Sequence, residues 1–178
     1  MSITAKYGTP IPLTDESITP SIDAQTYTGL QIKPASSAIH ITYKADETAD
    51  VVTLVEDTDY TIKENGYGTN ISAGSNVGSI TIAGKYLYTG ERTINFTINP
   101  AQITSATIAD VAEQPYTGSE VAPNVDITNP NTNTKLVKGI DYELSYENNT
   151  APGTATVTIT GKGNWQGTVT KTFHIHLL

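Results

Sequence analysis

The stretch GIDYELSYENNTAPGTATVTITGKGNWQGTVTKTFHI, residues 139–175, decides the fold. Tyr142, Leu144 and Tyr146 recur at every second position, and so do Ala155, Val157 and Ile159. Side chains alternate across an extended chain, so each run reads as a strand with one dry face and one wet face. The intervening words ENNTAPG and GKGNWQG hold the Asn, Pro and Gly that accept turn geometry. Short strands joined by such turns imply antiparallel pairing in a sandwich or barrel.

The same text stands earlier in the chain. QTYTG (25–29) and QPYTG (114–118) each lead to a proline five residues after the glycine, Pro34 and Pro123. LVEDTDY (54–60) answers LVKGIDY (136–142), and ITIAGKYLYTGERTINFTI (80–98) answers VTITGKGNWQGTVTKTFHI (157–175) without a gap. The offset falls from 89 at Tyr27/Tyr116 to 77 at Gly84/Gly161, so the first copy carries twelve extra residues, all between these anchors. Loops tolerate insertions where strands do not. The reading is all-β, two tandem antiparallel β-sandwich domains: residues 17–99 and residues 100–178. Residues 1–16 have no visible counterpart in the second copy and form an N-terminal extension or an extra edge strand. In the first copy Ile39, Ile41 and Tyr43 share a strand face.

Composition agrees. Thirty threonines with a single Met and a single Trp favour strands over helices. The absence of cysteine excludes disulfides and thiol nucleophiles. A net charge of −8 without any cluster of Lys and Arg argues against a phosphate-backbone partner, so no nucleic acid is expected. No apolar run is long enough to span a membrane, so no membrane insertion is expected within this chain, and the N-terminus lacks the basic and apolar regions of a secretory signal.

The pattern of Tyr-Thr-Gly, four residues, Pro, then Asp-Tyr, then Gly-Lys before an aromatic hairpin and a final Phe-x-Ile strand resembles the tandem immunoglobulin-like repeats of large bacterial cell-surface and secreted proteins. The resemblance covers residues 17–178. It implies immunoglobulin-like modules outside the cell or on its surface, acting as stalk, spacer or adhesive surface. Neighbouring repeats and an unknown protein or glycan ligand are the implied partners. It implies no catalytic residues and no cofactor.

The side chains capable of chemistry are few. No Gly-x-Ser-x-Gly, phosphate loop or His-Glu-x-x-His occurs. His40 alternates with Ile39 and Ile41 and reads as a solvated strand residue. His174 and His176 share a strand face and could hold a metal, but the sequence shows no third ligand. Glu56, Asp57 and Asp59 could offer oxygens to calcium, yet the second copy writes KGID where the first writes EDTD. An aspartate bonded to its own turn explains the shared Asp59/Asp141 position with fewer assumptions. Tyr88 and Trp165 align in the hairpins, with Tyr86 beside Tyr88. Such aromatics either seal the end of a sandwich or stack on a sugar; sealing is the expectation, and Tyr86, Tyr88 and Trp165 are the candidate ligand contacts if it fails.

Two further expectations concern Asn99–Gln102 and Lys171. The short joint carries Pro100 and predicts an elongated monomer with its domains end to end. Lys171 takes the place of Ile94 in an apparently inward position, so its stem is expected to lie along apolar surface with the ammonium reaching water.

Overall fold

The computed structural model describes residues 8–178, and it is all-β with two single-turn 3-10 segments, Ser36–Ala38 and Ile103–Ser105. The first seven residues of the N-terminal stretch lie outside the described residues. Two compact β-sandwich units divide the chain: unit 1 takes in residues up to Gln25 and Gln31–Asn99, and unit 2 takes in Thr26–Leu30 and Pro100–Leu178.

Unit 2 is the more regular. One sheet runs in the order Gln114–Pro115, Thr168–His176, Gly153–Gly161, Tyr142–Glu147, and the other in the order Thr107–Ile108, Ile127–Asn129, Thr134–Lys135. Val157 stands opposite Lys171 on one side and Tyr146 on the other, and Ile159 stands opposite Val169 and Leu144. The alternation in the sequence therefore sets the register: Ala155, Val157 and Ile159 are fully buried, with Phe173 and Ile175 of the neighbouring strand beside them in the core.

Unit 1 repeats the plan with irregularities. Tyr60–Tyr67, Gly74–Gly84 and Glu91–Asn99 are consecutive antiparallel strands of one sheet, while Ile18–Ile22, Ile39–Tyr43 and Val52–Thr53 form the other. Ile80, Ile82, Ile94, Phe96 and Ile98 supply the core from the first sheet, and Ile18, Ile39 and Ile41 from the second. ENGYG (64–68), whose Asn and Gly read as a turn between strands, is no such turn. It is a bulge inside Tyr60–Tyr67, where the register shifts between Ile62 and Tyr67 and Asn65 takes φ 57°.

Both units contain short parallel pairs that antiparallel expectations omit. Ile11–Pro12 pairs in parallel with Tyr88–Thr89, and Ala101–Gln102 does the same with Trp165–Gln166. Leu13 and Ile103, the next apolar residue in each case, are fully buried. Ile11–Leu13 thus does for unit 1 what Ala101–Ile103 does for unit 2, a counterpart that the letters conceal.

The glycines of the Gly-Lys motif are fixed by close approach. Gly84 and Gly161 pair with Tyr60 and Tyr142, and each accepts the returning hairpin against its backbone: Gly84 N–H donates to Gly90 O and Gly161 N–H to Gly167 O, both at 2.9 Å. A Cβ on Gly84 would lie 2.6 Å from Thr89 N, and one on Gly161 2.7 Å from Gln166 N. No side chain fits there.

Candidate functional site

The acidic turns show where a repeated carboxylate comes from. Asp59 Oδ2 accepts the Val55 N–H at 2.7 Å, and Asp141 Oδ2 accepts the Val137 N–H at 2.7 Å. Between them the backbone repeats too, with Asp57 N–H donating to Tyr60 O at 2.7 Å and Gly139 N–H to Tyr142 O at 2.8 Å. Asp57 occupies a left-handed position (φ 68°) where unit 2 has Gly139 (φ 86°). The Glu56 carboxylate accepts from Ser36 Oγ. Asp59 and Asp141 thus shape their own loops, while Glu56 is tied across to Ser36. Among the described residues no three His, Asp or Glu side chains are gathered as a metal-binding group.

Histidines are placed on the surface. His40 Nε2 sits 3.1 Å from both Asp23 oxygens. His176 Nδ1 and His174 Nε2 approach one oxygen of Glu113, at 3.3 and 4.0 Å. Sequence spacing could not show Glu113, which is brought there by the parallel pairing of Gln114–Pro115 with Ile175–His176. His176 Nδ1 completes no hydrogen bond. Lys171 Nζ reaches Asp110 Oδ1 at 3.0 Å, with its side chain 30% exposed and that of Asp110 98% exposed. The stem therefore runs out to a solvated carboxylate.

The hairpin aromatics separate into two kinds. Tyr88 and Trp165 are 5% and 4% exposed, so neither offers a face to a ligand; both leave the candidate contact set because they close the sandwich. Tyr86 is 65% exposed and is held at φ 54°, where unit 2 has Gly163 at φ 64°. A bulky residue in the left-handed region is unusual and strained. Lys85 Nζ lies 5.6 Å from its ring centroid.

Each sealing ring is itself capped edge-on. In unit 1 Tyr43 meets Tyr88 with centroids 6.1 Å apart and planes at 75°. In unit 2 the cap on Trp165 is Tyr27, at 5.7 Å and 78°. Around Tyr27 a polar cradle closes: buried Asn129 donates Nδ2–H to the Thr28 carbonyl at 2.9 Å, and Asn131 Nδ2 donates to the same oxygen at 3.3 Å. A Cβ on Gly29 would come within 2.6 Å of Asn129 Nδ2. Burial and the nearby Asp141 raise the Tyr27 pKa, while a hydrogen bond with Asn164 partly offsets them.

The surface hollows are open. One of about 720 Å³ is bordered by Asp15, Glu16, Asp46 and Glu47. Asp15 and Asp46 hold their carboxyls below the usual range by hydrogen bonds from Ser17 and Thr48 in their own turns. These carboxylates organise turns as Asp59 and Asp141 do. Compared with protein-family models and with curated proteins, the chain matches none.

Proposed function

We propose that the chain is a non-catalytic tandem module, immunoglobulin-like in kind, of a bacterial surface or secreted protein, and that it serves as a spacer. The observation that carries this reading is the parallel pairing at each unit's start. Ile11–Pro12 and Ala101–Gln102 run alongside the segments that lead into the last strands, Glu91–Asn99 and Thr168–His176. Tension between the two ends of such a unit loads these hydrogen bonds together, in shear. Hydrogen bonds loaded in shear share the load, which suits a module that transmits force.

A second reading rests on Tyr86 alone. Its exposed, strained ring beside Lys85 is the kind of group that stacks on a sugar. A glycan array probed with the whole chain tests both readings. Spacer function predicts no binding above background. Saturable binding that disappears in Tyr86→Ala, with the unfolding midpoint unchanged, would replace it with the carbohydrate-binding reading.

A further inference from the structure

The two Tyr-Thr-Gly turns share one internal geometry. Thr28 Oγ1 accepts the Leu30 N–H at 3.1 Å and Thr117 Oγ1 accepts the Ser119 N–H at 3.3 Å, while Gly29 and Gly118 take φ 89° and 81°. Their surroundings differ. Tyr27, Thr28 and Gly29 are half-buried in the cradle of Asn129, Asn131 and Trp165, whereas Tyr116, Thr117 and Gly118 are exposed. Nothing lies within 4 Å of a Cβ built on Gly118. A turn of identical form is therefore seated in one case and bare in the other.

We propose that Tyr116–Ser119 is a docking plug, and that its partner is a β-sandwich module of the unit 2 kind joined C-terminally in the same polypeptide. The partner's required chemistry is read from the filled cradle: two side-chain amide donors aimed at one carbonyl and an aromatic ring that meets the tyrosine ring in a T-shaped pair. A second copy of this chain offers no vacancy, because its unit 2 cradle holds Tyr27 and its Tyr88 is covered by Tyr43. The order also matches, since the seated turn precedes its cradle in the chain. This deepens the spacer reading and rests on it only in treating the chain as a tandem module.

The test extends the whole chain. Ile98 and Ile175 hold equivalent places, opposite Gly74 and Gly153, so a second Pro100–Leu178 segment attached directly after His176 reproduces the natural joint. Tyr116→Ala should leave the thermal midpoint of the original chain within about 1 °C and lower that of the extended chain by about 4 °C or more. Replacing the added module's copies of Asn129 and Asn131 by alanine should abolish that difference, and the Gly118 amide should exchange more slowly in the extended chain. Equal effects of Tyr116→Ala in both chains, an unchanged Gly118 exchange rate, or an added module that stays unfolded overturns the proposal. Failure of the spacer reading would appear elsewhere, as ligand binding or substrate turnover by the original chain.

Discussion

Asp59 and Asp141, at matching places in the two copies and flanked by different residues, each accept the backbone N–H of the residue four positions earlier at 2.7 Å. The flanking acids Glu56 and Asp57 become Lys138 and Gly139 without disturbing that bond. What the two copies share is a turn, held by a side chain that mimics a backbone acceptor. Asp59→Ala and Asp141→Ala should each destabilise by about 1–2 kcal/mol, the usual worth of a hydrogen bond to a charged acceptor at an accessible site. Urea unfolding at neutral pH measures this. Addition of a chelator should leave the midpoints unchanged, and a chelator effect at Asp59 would reveal a calcium role.

Gly84 and Gly161 make a sterner prediction. Alanine at either site places a Cβ against rigid hairpin backbone, where nothing flexible can yield. Gly84→Ala and Gly161→Ala should each cost about 2 kcal/mol or more, in the range of overpacking strain. The control is Gly90→Ala, whose Cβ meets nothing within 4 Å and whose penalty comes from its positive φ alone. If all three variants unfold at the same denaturant concentration, the close-approach argument is wrong.

Tyr86 carries the opposite sign. Its left-handed backbone is one that glycine adopts freely, as Gly163 does at the aligned position. Tyr86→Gly should relieve roughly 1–2 kcal/mol of strain against about 0.5–1 kcal/mol of added chain entropy, giving a neutral to slightly stabilised protein. Calorimetry reads it directly. A clear loss of stability would mean that the tyrosine ring contributes packing that its exposure conceals.

Much of this was legible because it is local. The strand faces at Tyr142–Tyr146 and Ala155–Ile159, the turn aspartates and the Gly-Lys hairpins are each fixed by residues near one another in the chain. Leu13 was illegible for a different reason: Ile11–Pro12 joins its sheet through backbone bonds that any sequence can make, and only one buried side chain follows. Glu113 beside His176, Asp110 beside Lys171, and Asn129 beneath Thr28 are long-range meetings that no spacing rule announces. Asn129 has no counterpart in the first copy either, because the equivalent strand position, two residues beyond the paired Ile22/Ile39 and Ile108/Ile127, is the core residue Ile41. Burial of Tyr88 and Trp165 was foreseeable from their recurrence; the identity of the rings that cap them was not.

Alkali should weaken the fold in a defined window. Burial first, and then the carboxylates of Glu56, Asp57 and Asp59, push the Tyr60 pKa up to about 12, and burial raises Tyr88, Tyr142 and Tyr146 as well. In the unfolded chain these phenols titrate near the ordinary tyrosine value, about 10. Between the two values the unfolded state holds fewer protons than the folded state, so stability is intact below pH about 10 and falls as the pH rises toward 12. Urea midpoints measured from pH 8 to 11.5 should show that decline, and Tyr60→Phe should flatten it. A stability that stays level through pH 11 would contradict the burial of these phenols.

Load bearing is the property that a spacer of this kind is proposed to have. Stretching single molecules by their two ends tests it most directly. Two discrete, all-or-none unfolding events per chain are expected, one for each unit, with a lower unfolding force for the unit 2 event when Ala101→Pro removes the backbone N–H that donates to Asn164 O at 2.9 Å beside Trp165–Gln166. Gradual extension without discrete events, or two events whose forces ignore Ala101→Pro while that variant remains folded, would contradict load bearing.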